Sequence, residues 1–171
     1  MTMIDLETLA AELGPLFAQG TADRDVSGTF VAEHYKILKE RKVFSALVPV
    51  DLGGGGSSHR QMCQFLRTIA QSCGSTALAL AMHQHLVAAA VYNHRNGRPG
   101  QALLEKVAAN ELTLISTGAN DWLDSSGICR RVEGGFKVTA KKPFASGSPA
   151  GDLFVTTAPY EDPEEGWQVL H

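Results

Sequence analysis

The chain has 171 residues, 44% of them hydrophobic and 19% charged, which is the composition of a soluble globular protein and not of a disordered one. Its length allows one domain with a core of its own, or one and a half. The formal net charge is −3 and no run of Lys or Arg occurs, which sets aside nucleic acid as a partner.

The N-terminus, MTMIDLETLAAEL, carries acids where a signal peptide has a basic region. Leu6, Leu9, Leu13, Leu16 and Phe17 recur at helical steps and predict a first helix with one apolar face. Gly20 and the polar stretch TADRDVSG are expected to end it. A second helix is predicted from Phe30 to Arg41, with Val31, Tyr35 and Leu38 on one stripe. The next segment, VFSALVPVDLGGGGSS, holds Pro49 and the glycine run Gly53–Gly56, which exclude regular helix. That run lacks the Lys-Ser/Thr and the preceding strand of a phosphate-binding loop, so it reads as an interhelical turn. Ser57 or Ser58 can cap a third helix through Met62, Phe65, Leu66, Ile69 and Cys73. A fourth, about Ser75 to His94, is apolar on nearly every side and is expected to be buried. Its apolar run, Ala77 to Tyr92, is interrupted by His83, Gln84 and His85, and is too short and polar to span a membrane. Pro99 suits the first turn of a fifth helix reaching about Ala109.

After Glu111 the pattern becomes β. LTLIST is a first strand. ICRRV and FKVTA, separated by Glu-Gly-Gly, have the signature of a hairpin. DLFVTTA follows as a strand, and YEDPEEGWQVLH as a turn and the start of another. About sixty residues are too few to close a barrel or sandwich. The expectation is an α+β chain. Residues 1–110 form an N-terminal all-α helical domain, and residues 111–171 an incomplete antiparallel β domain.

Several side chains invite chemical readings. His83-x-His85 and His94 suggest a metal, but residues two apart on a helix diverge and no acid or thiol completes a set, so no metal is expected. A place for His83 near a ligand mouth, or as a satisfied core histidine, stays open. The three cysteines, Cys63, Cys73 and Cys129, are odd in number and lack CxxC spacing, which fits a reducing cytoplasm. Asp121 and Asp124 read as solvated or capping loop acids before they read as bases, and Trp122 as a packing anchor.

Local text adds a resemblance. FSALVPVDLGGGG (residues 44–56), NELTLISTG (110–118) and GGFKVTAKKPFASGSPAGD (134–152) resemble, in order, segments of the acyl-CoA dehydrogenase family. The resemblance implies an FAD-binding oxidoreductase in which residues 111–171 begin the middle β domain. It implies that Leu114, Ser116 and Thr117 meet the polar edge of the flavin. Phe144 would pack against the isoalloxazine, and Ser146 would hydrogen-bond near N5. In an extended segment the i, i+2 spacing puts Phe144 and Ser146 on one side. The family's acid and proline after the threonine are missing here, where Gly118-Ala119-Asn120-Asp121-Trp122 follows. Ser125 or Ser126 would replace the serine that holds the pyrophosphate or the CoA arm. The family's catalytic carboxylate belongs to a C-terminal helical domain, expected beyond His171, so no catalytic residue is expected in this chain and the piece alone should not dehydrogenate an acyl-CoA or similar acyl thioester. A homo-oligomer, tetramer or dimer, is implied for full-length chains. Two other readings stand beside this one. Phe144-Ala145-Ser146-Gly147 is similar to the phenylalanine-x-serine-glycine segment of flavin-dependent monooxygenases on the same scaffold. The broad apolar helices would also suit a non-catalytic helical interaction module.

Overall fold

The structure is a computed structural model and describes residues 4–117, 121 and 125–170. Among these residues six α-helices come first: α1 (Leu6–Ala18), α2 (Thr21–Ser27), α3 (Ala32–Glu40), α4 (His59–Ser72), α5 (Gly74–Arg95) and α6 (Gln101–Asn110). Six strands follow among the described residues: β1 (Leu114–Ser116), β2 (Ile128–Val132), β3 (Gly135–Thr139), β4 (Leu153–Val155), β5 (Ala158–Asp162) and β6 (Gly166–Leu170). The expected α+β order, helices and then sheet, is what the chain adopts.

Two helix starts have a local cause in their capping residues. Asp5 caps α1, accepting the Glu7 and Thr8 amide hydrogens, each at 3.1 Å. Ser58, not Ser57, caps α4, and Gln61 reaches back to it to complete a capping box. Helix α1 lies against α4, where Gly14 admits the Ser72 side chain: a Cβ on Gly14 would stand 3.0 Å from Ser72 Oγ. Phe17, Leu38, Phe65, Ile69, Leu80 and Leu104 fill the core between the helices.

Three expectations change in detail. The polar stretch after Gly20 ends α1 but then forms a short helix of its own, α2, with no buried residue. It is fastened from outside its own sequence pattern, since Arg24 Nη2 donates to the Gln19 carbonyl at 2.5 Å and Thr21 Oγ1 to the Phe17 carbonyl at 3.0 Å. Pro99 precedes α6 rather than entering it, because the helix begins at Gln101. Helix α5 is not covered all round: Leu78 and Tyr92 stay exposed.

The glycine run folds back on the segment before it. The amides of Gly54, Gly55 and Gly56 donate to the carbonyls of Pro49, Ser45 and Val48 at 3.0, 3.1 and 2.9 Å. A Cβ on Gly54 would fall 2.3 Å from both the Val48 carbonyl oxygen and its Cβ. These glycines allow two backbones to touch, and their amides are spent internally, so they hold no phosphate.

The strands form a mixed arrangement and not a purely antiparallel one. Hairpins β2–β3 and β5–β6 are antiparallel, but β2 meets β5 in parallel through Cys129 and Tyr160, giving the order β3-β2-β5-β6. Strand β1 pairs in parallel with β4, Leu114 opposite Leu153. A parallel pair needs a long crossover, and here the β2–β3 hairpin and the following turn supply it between β1 and β4. The β1–β4 pair sits on α5 and joins the sheet region to the helices.

Candidate functional site

Strand β1 is placed by a histidine. His83 is fully buried on α5. The Leu114 amide donates to its Nδ1 at 2.9 Å, so Nε2 carries the proton and donates to the Phe44 carbonyl, also at 2.9 Å. Burial pushes its pKa down to about 4, against the pull of the Phe44 carbonyl, and the ring stays neutral at pH 7. One imidazole thus ties α5, the loop before Pro49 and β1 together. Asp152 makes a second tie: its carboxylate accepts the Thr113 amide at 2.7 Å and the Lys39 ammonium of α3 at 2.7 Å. Among the described residues no cluster of His, Cys, Asp and Glu has the makings of a metal site.

Beyond β1 the chain enters a polar knot centred on Asp121. Thr117 Oγ1 donates to Asp121 Oδ2 at 2.7 Å, and Lys142 Nζ to Oδ1 at 2.6 Å. The same ammonium donates to the carbonyls of Ser126 and Thr157 at 2.7 and 2.8 Å, which uses all three of its protons. Thr157 Oγ1 donates to the Asp121 carbonyl at 2.7 Å, and Ser125 Oγ lies 2.9 Å from it. Ser126 adds its amide and hydroxyl to Asp121 Oδ1, both at 3.3 Å. Burial alone would raise the Asp121 carboxyl. The donors from Lys142, Thr117 and Ser126 outweigh it and hold the group well below the usual carboxylate range.

This knot brings the predicted segments together. The two oxygens of one carboxylate grip Thr117 at the end of β1 and Lys142 just before Phe144. Further along, a Cβ on Gly147 would lie 3.3 Å from Ile115 Cδ1 of β1. The stretch from Lys142 to Gly147 therefore runs beside β1 and not on a distant face. Within it, Phe144 is 74% exposed and Ser146 half-buried. Leu114, Ser116 and Thr117 are buried, and the Thr117 hydroxyl faces the Asp121 knot. Ser125 and Ser126 likewise turn their hydroxyls into the knot. Ser146 borders an open cleft of about 460 Å³ lined by both apolar and charged residues, among them Phe30, Leu78, Ala79, Arg24 and Asp25.

Sequence reasoning missed the centre of this arrangement. Asp121 is not a solvated loop acid but a buried, ion-paired one, four residues after Thr117. The paired hydroxyls Thr156-Thr157 at the end of the β4 run were the available signal, since consecutive threonines closing an apolar strand invite a polar partner. Gly118, Ala119, Asn120, Trp122 and Asp124 lie outside the described residues.

An exposed aromatic, Phe144, and a half-buried hydroxyl, Ser146, thus stand near β1, and Ser146 borders the cleft. Comparison with known proteins gives the family. Residues 7–111 match the N-terminal domain of acyl-CoA dehydrogenases. The chain is similar to a probable FMNH2-dependent monooxygenase, SfnC, of Pseudomonas putida, with 25% identity over 88% of this chain and 37% of that protein. It is also similar to a putative acyl-CoA dehydrogenase, YdbM, of Bacillus subtilis, with 27% identity over 85% of this chain and 40% of the other. Its fold matches the methanesulfinate monooxygenase MsuC of Pseudomonas fluorescens with a TM-score of 0.83 at 22% identity, covering 97% of this chain and 41% of that one. The chain spans about two fifths of the length of these relatives. With its helical domain matched along nearly its whole length, the chain belongs to the acyl-CoA dehydrogenase family of flavin oxidoreductases.

Proposed function

We propose that this chain supplies the helical wall and the β edge of a flavin site, and that the protein it serves is a monooxygenase using reduced FMN. The observation that carries the site is the convergence of Thr117 and Lys142 on one carboxylate, which sets Phe144 and Ser146 beside β1. In this reading Phe144 stacks on one face of the ring, Ser146 donates to its polar edge, and the backbone at the end of β1 meets the pyrimidine side. The flavin, when bound, supplies the redox chemistry. The chain's residues orient the ring and exclude water on the helical side. The Asp121–Lys142 pair fixes the two segments and touches neither ring nor substrate.

The oxygenase reading is favoured over α,β-dehydrogenation of an acyl thioester by two observations. The acid and proline that follow the threonine in dehydrogenases are replaced by Gly118 and Ala119, and the segment Phe144–Gly147 has the phenylalanine-x-serine-glycine form. The cleft beside Ser146, walled by Phe30, Leu78 and Ala79, suits a small substrate with an apolar body. Dehydrogenation with FAD remains the second reading, supported by the likeness to YdbM. The purified protein separates the two. Weak FMN binding with oxygen consumed when a reductase supplies reduced flavin supports the oxygenase. Tightly held FAD bleached by an acyl-CoA supports the dehydrogenase and overturns our choice.

A further inference from the structure

Tyr35 of α3 lies inside the molecule and is 2% exposed. Its ring is locked by two edge contacts, to Phe30 at 5.1 Å and to Phe44 at 5.3 Å between centroids. The hydroxyl has no hydrogen-bond partner among the described residues. A buried tyrosine normally finds one, and an orphaned buried donor costs about 1–3 kcal/mol. Phenylalanine would fill the same space without that cost. The oxygen is aimed at the turn that follows Ser146: a Cβ on Gly147 would stand 3.0 Å from it. Gly147 has a φ of +85°, a conformation that leaves this approach open.

The turn's own backbone bonds leave the Ser146 carbonyl as an acceptor next to Gly147. Ser148, Ala150 and Gly151 amides take the carbonyls of Ala145, Gly147 and Ser148 at 3.0, 2.9 and 3.1 Å. Among the described residues no backbone amide outside helices and strands takes the Ser146 carbonyl. Phe144, two residues back, is 74% exposed.

We propose that Tyr35 is a positioning residue for the Phe144–Ser146 segment: its hydroxyl donates to the Ser146 carbonyl when the turn settles against a bound flavin, and it is orphaned without one. The inference rests on the flavin reading above. Binding and settling of the turn are then coupled, because the ligand-bound form gains a hydrogen bond that the free form lacks. Tyr35 touches neither flavin nor substrate. Its contact with Phe30, which walls the cleft, links the turn to the substrate side of the same edge.

The test is Tyr35→Phe in the chain as it stands, titrated with FMN alongside the wild type, with thermal unfolding of both ligand-free forms. The expected result is an unchanged or higher Tm for the free variant, with FMN bound about three- to tenfold more weakly, the equivalent of one lost neutral hydrogen bond. Amide exchange at residues 145–148 should slow on FMN addition in the wild type and slow less in the variant. A variant with wild-type FMN affinity overturns the role of Tyr35, and so does a free variant of lower Tm with unchanged affinity, since the hydroxyl would then be serving the free fold. A wild type that binds no FMN removes the flavin reading itself, and this inference with it.

Discussion

The helical block and the strand region are stabilised by different means. The helices close around one continuous apolar core, with Phe17, Leu38, Phe44, Ile69, Leu80 and Leu104 fully buried. The strand region has a small apolar cluster of Cys129, Ala158 and Tyr160, while Ile128, Phe136, Val138 and Trp167 remain exposed. What holds its end beside β1 is polar: one carboxylate, one ammonium and five hydroxyl side chains linked in one hydrogen-bond network. Apolar burial is non-directional and tolerates many solutions. A polar knot specifies where two particular segments must meet. The second device stands where the candidate site needs geometry, and the first where the chain needs stability.

This contrast can be broken most sharply by truncation. Phe65→Ala should cost about 4 kcal/mol of unfolding free energy, because it opens a cavity in the helical core beneath α4. Phe136→Ala, on the half-exposed face of β3, should cost roughly 1 kcal/mol or less. Urea unfolding of both variants reads the difference, and equal losses would dissolve the distinction between the two regions.

Lys142→Met should cost about 3 kcal/mol, because Asp121 is left buried without its counter-ion. Amide exchange should place the loss at residues 113–117 and 153–158 and leave α4 and α5 protected. The acid limb sharpens the point. The folded Asp121 carboxyl lies below its unfolded value near 3.9, so its contribution is present above about pH 4 and is lost as pH falls further. The variant should lose that part of its acid dependence.

His83 acts in a higher window. Its folded pKa of about 4 lies below the unfolded value near 6.5, so the unfolded chain binds a proton first. Its contribution is complete above about pH 6.5 and fades as pH falls toward 4, by about 3 kcal/mol in all. Stability measured between pH 7 and pH 4.5 should show this slope, and His83→Gln should flatten it. The slope is predicted to report on both regions, because protonating Nδ1 would expel the Leu114 amide.

The helical part was legible because periodicity and caps act locally. The stripe Met62, Phe65, Ile69 and the Ser58–Gln61 box are written within one helix, and the structure follows them. Helix α2 was not legible, since its fastening comes from Arg24 reaching back across a turn. The hairpin of β2 and β3 was readable from Glu-Gly-Gly, but the parallel pairing of β1 with β4 joins residues about forty apart and leaves no local trace. The same holds for the candidate site. Phe144 and Ser146 were named from neighbouring text, whereas Asp121, Lys142 and Thr157 acquire their roles only when three distant segments meet. His83 had two open readings as a sequence residue. Two backbone partners at 2.9 Å make it a satisfied core histidine that sets strand β1.

The central claim is that the edge running from Phe144 to Ser146 takes a flavin ring. The most direct measurement is an FMN titration of the wild-type chain, Phe144→Ala and Ser146→Ala, followed by flavin fluorescence, with unfolding curves on the same samples. The account predicts saturable binding to the wild type, weakened about tenfold or more in each variant, while Tm shifts little because Phe144 is largely exposed. Wild-type affinity in both variants would contradict it.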